Sequence, residues 1–158
     1  MGIGLENLLK EVRLRAIESG CFESVALENS CLTCKALHSA EPAEYRICIE
    51  DNKLCISLVT PNRWLSESIE SDLVEHGDDI VDLIDEEVRS HNYKGPQLAV
   101  LHFRSPDKFF TFRSPLPIPV HHPADVKADP ANIETTFTVL MTYQNVFSEL
   151  GDMQVAES

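Results

Sequence analysis

The sequence predicts a single α+β domain, in which an antiparallel sheet is flanked by helices. The spacing of apolar residues changes from a helical to a strand-like repeat and back, twice along the chain. Both strand-like regions contain residues typical of tight turns. The length of 158 residues, 43% of them hydrophobic, suffices for one ordinary core without disulfides or metals.

The chain begins with an amphipathic helix, predicted over residues 4–19. Its apolar residues recur at helical spacing, namely Leu5, Leu8, Leu9, Val12 and Ala16. Gly20 follows, and glycine commonly ends a helix because it adopts the left-handed conformation without strain.

Strands come next, and the clearest pair is a β-hairpin over residues 45–59. Apolar residues alternate with polar ones on both sides of Asp51-Asn52, namely Ile47, Ile49, Leu54, Ile56 and Leu58. Asp and Asn tolerate the positive φ of a two-residue type I′ turn. An earlier strand over residues 31–37 would place Leu32 and Cys34 on one face and Cys31 on the other.

Helical spacing returns over residues 61–91. An apolar stripe runs through Leu65, Ile69, Leu73, Ile80, Ile84 and Val88. Thr60 would cap this region, with Pro61 in the first helical position. Gly77 interrupts the stripe and Asp78 can cap a new segment, so we expect two helices, 61–76 and 78–91, or one kinked helix.

A second hairpin follows over residues 99–112. If its turn is centred on residues 106–107, Phe110 and Phe112 face Phe103 and Leu101. The same register places His102 opposite Thr111, a structural position. Residues 114–131 then form a proline-rich loop.

The sequence pattern of the C-terminal segment 130–150 fits either a strand or a helix. Phe137, Val139, Met141 and Tyr143 alternate as in a strand, whereas Asp129-Pro130 is a typical helix start. The cap signal and the length favour a helix. The domain is thus expected to span residues 1–150, with a flexible C-terminal tail at 151–158.

The charge balance narrows the class of partner. The chain has 26 Asp and Glu against 13 Lys and Arg, a net charge of −13. This balance disfavours nucleic acid and anionic membranes, both of which require basic surfaces. A protein or polypeptide partner, of basic character, fits better. The sequence shows neither a signal peptide nor a membrane span, so we expect a cytoplasmic protein.

An acidic helix surface is the first candidate site. Ten carboxylates lie between Glu67 and Glu87 with no Lys or Arg among them. Such a run is commonly just a solvated face. As a docking surface, it would bind a partner through Asp78, Asp79, Asp82, Asp85, Glu86 and Glu87, with the apolar C-terminal segment contributing further area.

Cysteines supply the alternative site. Cys31 and Cys34 form a C-x-x-C, and Cys48 and Cys55 face each other across the predicted Asp51-Asn52 turn. Four thiols can hold a metal ion or serve a redox function. Strand residues three apart point to opposite faces, however, so Cys34 would face the core. A pairing of residue 31 with residue 48 would align Cys31, Cys48 and Cys55 as reduced thiols on the other face.

The predicted element order is helix, three strands, helix, two strands, helix. Over residues 4–150 this order, together with the size and acidity, resembles the type III secretion chaperones and the YbjN-like domains. The resemblance implies a homodimer that binds other polypeptides through its sheet and grooves.

No catalytic motif accompanies these features. The chain lacks G-x-S-x-G, P-loop, G-x-G-x-x-G and H-E-x-x-H patterns. We therefore expect a non-enzymatic protein-binding module, chaperone-like or adaptor-like, without a cofactor. A metal- or thiol-dependent regulator is the alternative. The 130–150 helix is apolar on more than one face, which predicts burial on several sides and hence a homodimer.

Overall fold

The structure, a computed structural model, describes residues 3–154. The chain folds into an α+β domain, as predicted. Its elements in chain order are α1 (Ile3–Ser19), β1 (Phe22–Glu28), β2 (Cys31–Ala36), β3 (Glu44–Glu50), β4 (Lys53–Thr60), α2 (Arg63–His76), α3 (Ile80–Ser90), β5 (Leu101–Arg104), β6 (Phe110–Pro115) and α4 (Pro130–Phe147).

All six strands form one antiparallel sheet in the order β1-β2-β3-β4-β6-β5. Its inner face carries the buried residues Leu32, Cys34, Tyr45, Ile47, Leu54, Ile56, Leu58 and Phe112. The buried residues of α1, α2, α3 and α4 join these in a single hydrophobic core. The helices therefore cover the inner face, and the opposite face is termed the outer face below.

The predicted hairpin at 45–59 and the strand at 31–37 are confirmed. Asp51 and Asn52 both have positive φ, +50° and +62°, as a type I′ turn requires. Cys48 lies opposite Cys55, and Leu32 lies opposite Ile47.

Strand β1 was not predicted, so the chain has four strands before α2 rather than three. Its turn into β2 uses Asn29 and Ser30, whose φ values are +52° and +58°. As an edge strand it buries little more than Phe22, while Val25 and Leu27 stay partly exposed. The alternation is consequently weak in the sequence.

The region 61–91 forms two helices whose starts differ from the predictions. Asn62 rather than Thr60 caps α2, since its side-chain oxygen accepts a hydrogen bond from the Leu65 N–H at 2.8 Å. The Thr60 hydroxyl instead donates to the Pro42 carbonyl at 2.8 Å. Asp79 rather than Asp78 caps α3, because Gly77 adopts the left-handed conformation and Asp78 continues the connection.

The predicted register of the second hairpin is wrong by one residue. Phe103 faces Thr111 and Leu101 faces Arg113, so that His102 faces Phe112 instead of Thr111. The connection has five residues, 105–109, since Arg104 pairs with Phe110. Across this connection the Ser105 hydroxyl accepts a hydrogen bond from the Phe109 N–H at 3.1 Å. The shift moves the His102 side chain to the inner face.

The C-terminal helix is confirmed as α4, and Asp129 caps it by accepting from the Asn132 N–H at 2.8 Å. The proline-rich segment before it is packed rather than open. Leu116, Ile118 and Val126 in this segment are buried. Strand β6 also extends into the predicted loop as far as Pro115.

The first residues of the predicted flexible tail pack against the domain. Gly151–Met153 forms a 3-10 turn on α2, where the Gly151 N–H donates to Asp72 Oδ2 at 2.7 Å. The Asp152 N–H donates to the Ser68 hydroxyl at 3.0 Å, and Met153 is only 1% exposed. Residues 155–158 of the tail lie outside the described residues.

Within residues 3–154, every helix is too short or too polar to cross a membrane.

The packing of Met153 gives a stability prediction. Met153→Ala should lower the free energy of unfolding by about 2–5 kcal/mol, as expected when a buried side chain is truncated. Gln154→Ala, at an exposed neighbouring position, is the matched control and should cost less than about 0.5 kcal/mol. Urea denaturation measures both. Equal stability of the two variants would show that the turn does not pack on α2.

Candidate functional site

The six acidic residues predicted to bind a partner do not form one uniform surface. Asp79 is committed to the cap of α3, accepting from the Val81 N–H at 2.8 Å. Asp85 pairs with Arg89 at 3.2 Å, and Glu87 pairs with His91 at 2.9 Å. The remaining three, Asp78, Asp82 and Glu86, are exposed, and no ion pair within residues 3–154 includes them.

A groove of about 440 Å³ lies where α2, α3 and the C-terminal end of α4 meet. Its carboxylates come from all three regions, namely Asp72, Asp78, Glu86, Glu87 and Glu149. Its apolar lining consists of Leu83, Val146 and Leu150. The groove thus joins the acidic helix surface to the apolar C-terminal segment, the two features that the sequence assigned to binding.

The sequence identified only part of this groove. Asp78, Glu86 and Glu87 were predicted, whereas Asp79, Asp82 and Asp85 do not line the groove. Asp72 and Glu149 were not predicted to contribute. Glu149 follows α4, some sixty residues beyond α3 in the chain, and only the packing of α4 on α3 brings it to the groove. No local pattern carries that information.

Asp72 already has two partners inside the domain. One carboxylate oxygen accepts from Gly151, and the other lies 2.7 Å from His76 Nδ1. The Asp72 carbonyl accepts from the same imidazole, and this contact together with the carboxylate raises the pKa of His76. The carboxylates left free for a ligand are therefore chiefly Asp78, Glu86 and Glu149, all of them exposed.

The thiol row on the outer face is the second site. Cys48 faces Cys55, and the pairing of Leu32 with Ile47 places Cys31 beside Cys48. All five cysteines of the chain are free thiols. Three predicted thiols thus lie side by side across β2, β3 and β4.

Cys34 stands apart from this row. It is fully buried on the inner face, where burial raises the pKa of its thiol to about 12. The four-thiol metal site is therefore not assembled, because the strand repeat separates Cys34 from Cys31. Among residues 3–154, no cluster of three or more His, Cys, Asp or Glu side chains has a geometry that would hold a metal ion.

Within the row, Cys31 is the thiol that ionises most readily. The Cys48 thiol hydrogen-bonds to it and, aided by the Thr33 hydroxyl, lowers the pKa of Cys31 to about 7 despite partial burial. The same contact raises the pKa of Cys48, which stays a thiol and acts as the donor. Burial raises the pKa of Cys55. Ionisation of Cys31 thus creates a thiolate beside two thiols on the outer face.

Comparison of the chain with protein-family models, with curated proteins and with solved structures returned no match. What the chain does is therefore inferred from its own residues and their geometry.

The thiol geometry predicts a pH-dependent reactivity. The rate at which iodoacetamide alkylates Cys31 should rise through pH 7, because the thiolate is the nucleophile. Cys48→Ala removes the donor and should move this rise to higher pH, whereas Cys48→Ser keeps a donor and should move it less. Peptide mass spectrometry resolves the site. An unchanged profile in Cys48→Ala would contradict the hydrogen bond, and Cys55→Ala serves as the control.

Proposed function

We propose that this protein binds a basic and partly apolar segment of another polypeptide in the groove between α2, α3 and α4. The observation that carries the proposal is the pairing of free carboxylates with an apolar lining in one concavity. Asp78, Glu86 and Glu149 supply negative charge, and the half-buried Leu83 and Val146 supply hydrophobic area. The resemblance to chaperone-like families points to the same class of function, although it was drawn from three strands before the central helices and the structure has four.

Each part of the groove has a separate energetic role. Exposed carboxylates attract a basic partner over roughly 8 Å at physiological ionic strength and so accelerate encounter. They contribute little net affinity, since exposed ion pairs are worth about 0–1 kcal/mol each. Most of the affinity must then come from burial of the apolar lining. A segment that alternates basic and apolar side chains satisfies both requirements.

Thiol-based regulation is a second candidate function, favoured by the lowered pKa of Cys31. A thiolate beside a protonated thiol reacts with electrophiles more readily than an ordinary buried cysteine. The thiol row lies on the outer face, whereas the groove is formed by the helices that cover the inner face. The two candidate sites can therefore act independently.

The homodimer remains a prediction, but the apolar faces of α4 no longer require it. Val139, Leu140, Tyr143 and Phe147 of α4 are fully buried within a single chain. Helices α1 and α3 and strands β3 and β4 cover them. The apolar faces of α4 are thus largely satisfied without a second copy. Light scattering separates a monomer of 17.7 kDa from a dimer directly.

The groove predicts the behaviour of a charge-neutralising variant. The probe is a fluorescein-labelled helical peptide rich in Lys and Leu, followed by anisotropy and stopped-flow. The triple variant Asp78→Asn, Glu86→Gln, Glu149→Gln should bind it about tenfold more weakly, equivalent to ~1.4 kcal/mol. Association should slow more than dissociation accelerates, and added salt should reduce the difference.

A matched control distinguishes the groove from net charge alone. The triple variant Glu6→Gln, Glu11→Gln, Glu18→Gln removes the same charge from exposed positions on α1. It should bind the peptide nearly as well as the wild type. Equal losses in both variants would mean that the peptide senses overall charge, and the groove proposal would be rejected.

A further inference from the structure

Three side chains from α2 and β5 lie next to one another at the edge of the sheet. His102 Nδ1 lies 2.8 Å from Glu70 Oε1, and His102 Nε2 lies 3.3 Å from the Ser66 hydroxyl. One imidazole nitrogen thus meets a carboxylate while the other meets a hydroxyl. This is the arrangement by which a histidine activates a serine nucleophile.

Local structure explains how the three side chains meet. Ser66 and Glu70 are four residues apart on α2 and so lie on one face of the helix. The register of β5 against β6 directs His102 to the inner face, toward α2. There its ring stacks on Phe112, with centroids 3.9 Å apart and planes at 7°. The stacking fixes the ring plane while both nitrogens remain available to α2.

The three side chains border a second groove, of about 620 Å³, between α2 and β5. Ser66, Glu70 and His102 all contribute to its wall. The remaining lining is formed by Pro61, Arg63, Glu67, Phe103, Arg104 and Phe110. Ser66 is only 2% exposed, so its hydroxyl is shielded from bulk water yet lies at the wall of the groove.

We propose that Ser66, His102 and Glu70 constitute a hydrolytic site for carboxylic esters. Such an activity goes beyond polypeptide binding and contradicts the expectation of a non-enzymatic protein. Ser66 is the nucleophile and His102 the general base, while Glu70 is a positioning residue. Its carboxylate, 2.8 Å from Nδ1, holds the proton on that nitrogen by charge, so that Nε2 is left with a lone pair for the Ser66 hydroxyl.

The reaction proceeds in two balanced steps. Ser66 Oγ forms a bond to the ester carbonyl carbon while its proton passes to His102 Nε2. The carbon–oxygen bond to the alcohol breaks, and the alcohol leaves with that proton. Water then attacks the acyl-serine and gives a proton to Nε2, which returns it to Ser66 Oγ as the acid departs.

Arg104 indicates the kind of ester. Arg63, the other arginine of the groove, pairs with Glu67 at 2.9 Å, whereas no ion pair within residues 3–154 includes Arg104. The Arg104 guanidinium lies over the Phe110 ring, 5.6 Å from its centroid. A cation above an aromatic ring on this wall favours an ester that carries a carboxylate on its acyl part.

Covalent labelling tests the nucleophile. Folded protein is treated with a fluorophosphonate, which modifies activated serines, and the site is mapped by peptide mass spectrometry. We expect modification of Ser66 in the wild type and none there in Ser66→Ala. His102→Gln should slow labelling at least ~100-fold, the usual contribution of a general base. Glu70→Gln should give a rate between those of the wild type and His102→Gln.

Ser90→Ala is the matched control, because the Ser90 hydroxyl only donates to its own helix, to the Glu87 carbonyl at 2.6 Å. It should leave labelling of Ser66 unchanged. Circular dichroism confirms that each variant is folded. Absence of Ser66 labelling in the folded wild type overturns the proposal. Equal labelling rates in wild type and His102→Gln also overturn it, since the three side chains would then only tie β5 to α2.

A comparison of two esters tests the proposed substrate class. Hydrolysis of 4-nitrophenyl hemisuccinate should exceed that of 4-nitrophenyl acetate in kcat/KM, and Arg104→Gln should abolish the preference while retaining Ser66 labelling. A preference unchanged in Arg104→Gln would refute the assigned role of Arg104. Hydrolysis that persists in Ser66→Ala at the wild-type rate would assign the activity to other surface nucleophiles and refute the site.

Discussion

The structure depends on strand β4, which is buried along both of its faces from Leu54 to Thr60. On the inner face Leu54, Ile56 and Leu58 meet the helices in the main core. On the outer face Cys55, Ser57 and Val59 are buried although those helices cover the opposite face. Both flanks of β4 are occupied as well, by β3 on one side and by β6 on the other.

Arginine side chains stacked on aromatic rings help to shield the outer face of β4. Arg113 lies over the Phe103 ring at 4.8 Å, and Arg46 lies over the Phe109 ring at 4.9 Å. Phe109 belongs to the connection between β5 and β6, the same connection whose length was misjudged from the sequence. Such stacking covers apolar surface while the charged ends stay near water. The five-residue connection thus contributes to shielding that the sheet alone does not provide.

The sequence predicted best those features that depend on interactions between residues close together in the chain. The hairpin of β3 and β4 was predictable because a two-residue turn fixes both register and facing, and so the thiol row with it. Strand β1 was missed because an edge strand buries few side chains, and its apolar alternation is therefore weak. The register of β5 failed because five-residue connections close in several ways. The carboxylates of Asp72 and Glu149, and the contact of His102 with Ser66, arise only when distant elements pack, and no local periodicity encodes them.

Asp72 links the C-terminal turn to the groove between α2, α3 and α4. Its carboxylate accepts the Gly151 N–H of the C-terminal turn and also lines the groove between α2, α3 and α4. A cation that engages Asp72 from the groove must compete with that N–H and with His76. Thermodynamic linkage makes the competition reciprocal, so that the seated turn weakens binding of the cation by the same factor by which the bound cation weakens seating of the turn. The seated Gly151–Met153 turn is, in this sense, an internal competitor that lowers the apparent affinity of the groove for a cation.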